Sequence, residues 1–138
     1  MLAHGAATGV QSYRCQSVSD GGTAWTFVGP QASLRDCSGT VLAQHFASDA
    51  GAALPEWQSP DRTSIVAHKV AAFAPDGGAP SVPWLLLRAV AHDGSGPLSR
   101  VEYVQRLETD GGIAPAGSCQ AGATSDVPYT ADYYFYGP

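Results

Sequence analysis

The chain has 138 residues, the length of one ordinary domain, so a second core of useful size is not expected. Charged residues make up 14% and hydrophobic residues 44%, which is too apolar for disorder and poor in charge for a cytosolic protein. Net charge is −5 and the seven Lys and Arg are scattered, so no basic patch favours nucleic acid or an anionic membrane, and no apolar run is long enough to span a bilayer.

Sixteen Gly and ten Pro leave few runs in which a long helix could form. Short β-like runs alternate instead with turn clusters. Residues 1–8 are expected to be a flexible segment, and a strand follows at 10–15. Asp20-Gly21-Gly22 turns the chain into a strand at 23–28, with Trp25 and Phe27 on one face, which Gly29-Pro30 should stop. A turn around Asp36-Cys37-Ser38-Gly39 leads to a strand at 40–46. Residues 47–62 read as a long loop, with Pro55-Glu56-Trp57 packing back on the core as a lid. A strand at 64–73 comes next, then an apolar run at 83–91 that suits a central strand.

In residues 100–107, alternation places Val101, Tyr103, Gln105 and Leu107 inward and Arg100, Glu102 and Arg106 outward. The aromatic segment 128–136 forms the last strand, with proline at its first position, where a strand tolerates one. The sum is an all-β single domain, residues 1–138, of about seven or eight short antiparallel strands in a β-barrel or β-sandwich.

The three cysteines, Cys15, Cys37 and Cys119, allow three pairings or none. Cys15–Cys119 is favoured, because closing that long loop would restrain the unfolded chain most usefully. Met1-Leu2-Ala3-His4-Gly5 lacks the basic start and apolar stretch of a signal peptide. A trimmed mature start and a cytoplasmic start both remain open.

Several segments are similar to one family. They are Ala7-Thr8-Gly9-Val10-Gln11-Ser12-Tyr13-Arg14-Cys15, Thr23-Ala24-Trp25-Thr26-Phe27, and Val82-Pro83-Trp84-Leu85-Leu86-Leu87. Gln105-Arg106-Leu107-Glu108-Thr109-Asp110-Gly111-Gly112-Ile113-Ala114-Pro115 and Val127-Pro128-Tyr129-Thr130-Ala131-Asp132-Tyr133-Tyr134-Phe135-Tyr136 complete the match. Together they resemble domain of unknown function family 3455, mostly secreted bacterial and fungal proteins. The resemblance implies export to a secreted or periplasmic location, cysteines matching Cys15 and Cys119, and no established activity. The middle departs from the family pattern: Gln58 stands where a carboxylate follows the tryptophan, with Glu56 as its candidate replacement.

The residues that could carry chemistry are few. His45 shares a face with Val41 and Ala43, and His68 with Val66 and Val70. A histidine among apolar neighbours is either a satisfied core residue or an acid–base group. Asp132 stands among tyrosines, either at an exposed edge or held by phenol hydrogen bonds. His45, Asp132 and Glu56 are therefore the candidate catalytic residues, and Trp57, Trp25, His68, Gln105 and Tyr134 the candidate ligand contacts. Without H-E-x-x-H, P-loop, G-x-S-x-G or dinucleotide signatures, no cofactor and no metal are expected.

The function expected is binding of a small apolar or aromatic compound, with cofactor-free acid–base chemistry such as cyclisation, isomerisation or elimination as the enzymatic form. The alternative is a non-catalytic exported module that binds protein or glycan through its surface, with an exposed Trp57 as the sign of it. A histidine-bound metal protein is a weaker third.

Overall fold

The computed structural model describes residues 1–49, 54–75, 77 and 80–138. Eight strands follow in order: β1 (Ala3–Ser17), β2 (Thr23–Arg35), β3 (Val41–Ala47), β4 (Pro55–Gln58), β5 (Ser64–Phe73), β6 (Trp84–Asp93), β7 (Tyr103–Gly111) and β8 (Thr124–Tyr136). Each pairs antiparallel with the next, and β8 pairs with β1, so the sheet closes into an up-and-down barrel without a free edge. No helix among the described residues is long and apolar enough to cross a membrane.

The period of two that marks the strands also divides inside from outside. On β8, Tyr129, Ala131, Tyr133 and Phe135 are buried, whereas Asp132, Tyr134 and Tyr136 are partly exposed. Across the seam, Gly5, Ala7 and Gly9 of β1 stand opposite Tyr133, Ala131 and Tyr129. Small residues beside large ones let two tyrosines enter an interior only wide enough for side chains or one small ligand.

Three expectations change. The segment 1–8 does not fray: β1 starts at Ala3, and its first residues pair with β8. Gly29-Pro30 does not stop β2, which runs on to Arg35 through a bulge at Gly29. Glycine is required there, because a Cβ at Gly29 would lie 2.6 Å from that of Ala47. Within 47–62, Pro55–Gln58 form the short strand β4, while residues 50–53 lie outside the described part.

The two ends of the barrel differ. A 3-10 helix, Pro97–Arg100, joins β6 to β7 and inserts Leu98 into the core, with Val101 fully buried behind it. Leu2 packs against the same core. At the opposite end β1, β3, β5 and β7 finish and β2, β4, β6 and β8 begin. There the β7–β8 connection carries Cys119, bonded to Cys15 near the end of β1.

Candidate functional site

The interior is not solid. A cavity of about 200 Å³ opens toward the end with the disulfide. Its rim is formed by Phe27 early in β2, Leu54 and Pro55 at the start of β4, Lys69 late in β5 and Leu85 early in β6. Deeper in, Gln11, His45, Trp57, Leu87, Arg106 and Tyr133 line it.

His45 reaches this place because β3 alternates Ala43 and His45 inward with Gln44 outward. Its strand partners are Ala32 and Trp57. The His45 and Trp57 rings stack 4.3 Å apart at 8°, and Tyr133 meets His45 edge-on at 5.2 Å. Nδ1 of His45 donates to the carbonyl of Glu56 at 2.9 Å. A carbonyl only accepts, so the proton sits on Nδ1 and Nε2 carries the lone pair. Burial drives the pKa of His45 down to about 3; the Glu56 bond opposes this and the charge of Arg106 adds to it. The imidazole is neutral at any ordinary pH.

Arg106 is the unexpected member. It is 9% exposed, and its Nε and Nη2 donate to the carbonyl of Pro83 at 3.0 and 2.8 Å. Among the described residues no carboxylate pairs with it; the one ion pair is His4–Asp132. Gln11 Nε2 and Trp57 Nε1 are enclosed by protein and lack hydrogen-bond partners. Tyr133 and Tyr129 satisfy each other, with hydroxyls 3.1 Å apart, and Tyr13 donates to the carbonyl of Gly112. Burial raises the pKa of both Tyr129 and Tyr13, so these phenols stay protonated.

The expected site residues do not all converge. His45 and Trp57 stand together in the cavity wall. Glu56 supplies its backbone carbonyl to His45, while β4 turns Trp57, not Glu56, to the buried side. Asp132 lies on the outer face of β8, 3.0 Å from Nε2 of His4, whose ring stacks on Tyr134 at 4.4 Å. His68 is exposed on the outer face of β5. Trp25 pairs with Cys15 and is half-buried, apart from the cavity lining. Gln105 accepts from the Tyr136 hydroxyl at 2.9 Å, on the outside. The alternation expected for this strand is therefore reversed: Val104 and Arg106 point in, and Gln105 and Tyr103 point out. Among the described residues, no three His, Cys, Asp or Glu side chains gather as metal ligands.

Residues 1–137 match the family described as Protein of unknown function (DUF3455). The chain belongs to that family. No curated protein and no solved structure matches it. In this DUF3455 member, Gln11 and Arg106 line the cavity without having been expected there. Gln11 shares the period of the buried Tyr13 and Cys15, a signal that could have placed it inward. Arg106 offered no such signal, because a charge lining a cavity reads like a charge facing water.

Proposed function

We propose that the barrel interior binds a small apolar or aromatic compound. The observation that carries this reading is a hollow lined by aromatic and aliphatic side chains, with the half-used guanidinium of Arg106 and the imidazole of His45 in its wall. An apolar hollow with a few convergent polar groups is the usual form of a small-molecule site. A cavity of about 150 Å³ holds a benzene. At about 200 Å³, this one suits a single ring with a short substituent.

Nε2 of His45 is the natural acceptor for a hydroxyl or an acidic C–H on that compound. The Glu56 carbonyl fixes the ring's tautomer and direction. Burial and the charge of Arg106 oppose the imidazolium that proton abstraction would form, so His45 serves binding as a hydrogen-bond acceptor better than it serves cofactor-free acid–base chemistry. Asp132, on the outer wall, pairs with His4 and takes no part in this reading. Trp57 is fully buried, so it does not offer the exposed ring on which a surface-binding module would rest. The Cys15–Cys119 bridge supports a secreted or periplasmic location, where disulfides persist.

Calorimetric titration with toluene, p-cresol and indole tests the reading. We expect saturable binding that is lost in Leu85→Trp, whose larger side chain fills the cavity, with the fold checked by circular dichroism. We also expect p-cresol to bind more tightly than toluene, and that advantage to vanish in His45→Phe. Failure of all three compounds to bind, or equal binding by the filled variant, overturns it.

A further inference from the structure

We infer that the compound bound in the cavity is a monocarboxylate, with its carboxylate on the guanidinium of Arg106. The inference rests on the binding reading above and adds the chemical class of the ligand.

Among the described residues, the ionisable side chains of the cavity wall are Arg106, Lys69, His45 and the phenol of Tyr133, and no carboxylate lines it. His45 is neutral by virtue of its burial. Lys69 is exposed at the rim, where water screens it. Arg106 is left as a buried cation without a counter-ion among the described residues. Taking a charge out of water is costly, and a protein that leaves it unpaired inside gains most when an anion arrives.

The hydrogen-bond count agrees. Arg106 uses Nε and one Nη on Pro83 and keeps further N–H groups free. Those N–H groups can only donate, which calls for a ligand with acceptors. A carboxylate offers about four lone-pair sites and matches the planar fork of arginine.

Size and charge narrow the class. One buried cation balances one negative charge, so a dianionic phosphate ester would bring a surplus charge into an apolar cavity. The rings of Trp57, Tyr133 and His45 pack on one another in the wall beside Arg106, whose direct strand partner is Tyr133, and give that part of the cavity an aromatic lining. A ring with a short acid arm, such as benzoate, phenylacetate or cinnamate, meets all of these conditions.

The test compares acids with their neutral amides on the full chain. Benzoate against benzamide, and phenylacetate against phenylacetamide, are titrated by calorimetry at pH 7.5, with phenyl phosphate as a third arm. We expect each acid to bind at least tenfold more tightly than its amide, and phenyl phosphate to bind more weakly than benzoate. In Arg106→Met the preference for acid should disappear while the amides still bind. Arg106→Lys should retain part of it, which separates charge from structural support at Pro83. Equal affinity of acids and amides for the unaltered protein overturns the inference and leaves the binding reading intact. If acids, amides and the neutral rings all fail to bind, the cavity reading itself falls. Tighter binding of phenyl phosphate than of benzoate overturns the choice of carboxylate.

Discussion

His45 lies face to face with Trp57 in the barrel wall, 4.3 Å between ring centres, and its Nδ1 is tied to the backbone of the residue just before that tryptophan. Two neighbouring strands thereby set the position, tilt and tautomer of one imidazole.

Stability should fall on mild acidification because of His45. Its folded-state pKa is about 3, below the ordinary value of 6.5. Between those values the unfolded chain binds a proton that the folded chain refuses, so stability is complete above pH 6.5 and declines as pH falls toward 3. The slope approaches about 1.4 kcal/mol per pH unit for one group. Urea unfolding at pH 7.5 and 5.0 measures it. In His45→Gln the difference between the two conditions should shrink. An unchanged difference would show that His45 is not the group responsible.

Truncating Trp57 should be severe. It is fully buried and contacts His45, Tyr133 and Phe135. Trp57→Ala should cost roughly 3–5 kcal/mol in denaturant unfolding. Trp57→Phe should cost clearly less, since it also removes an indole N–H without a partner.

Arg106→Met should leave the ligand-free protein as stable as before or up to about 2 kcal/mol more stable, because it removes an uncompensated buried charge. Pro83 is exposed, so its carbonyl can turn to water once the guanidinium is gone. A large destabilisation in urea would mean that Arg106 serves mainly to hold the β5–β6 connection.

The bridge between Cys15 and Cys119 closes a separation of 104 residues, and replacing both cysteines with alanine should cost roughly 2–5 kcal/mol. Cys37 is free and exposed. Thiol titration in denaturant without reductant should therefore find a single reactive group. Three groups would contradict the bridge.

Asp132→Asn should change little. Its partner His4 and the carboxylate itself are about a third exposed, and such pairs are worth under about 1 kcal/mol. Affinity for p-cresol should be unaltered. A clear loss of binding would return Asp132 to the site.

Much of the barrel could be read from the sequence because alternation and turn chemistry are local. Asp20-Gly21-Gly22 and Asp36-Cys37-Ser38-Gly39 turn the chain where expected, and the buried face of β8 follows from its aromatic period. His45 was legible for the same reason, as an imidazole sharing a face with Ala43. What local patterns could not supply was register. Gly29-Pro30 ends a strand in most contexts, but here a bulge carries β2 onward because Ala47 leaves room only for glycine. The short β4 was hidden in a loop-like stretch, and it is the strand that brings Trp57 to His45. Alternation separates the two sides of β7 but does not say which is inward, and Gln105 and Arg106 lie opposite to expectation. The interior that makes Arg106 intelligible is assembled from strands distant in sequence, and Asp132 looked central only because its outward neighbours are also tyrosines.

The most direct test is to locate a bound neutral ring by intermolecular nuclear Overhauser effects on protein with labelled methyl groups and indoles. With p-cresol at saturation, contacts are predicted to the Leu87 methyls and the Trp57 indole, both inside the barrel. Contacts confined to exposed side chains such as Val70 and Phe73, or none at all, would contradict a ligand-binding interior.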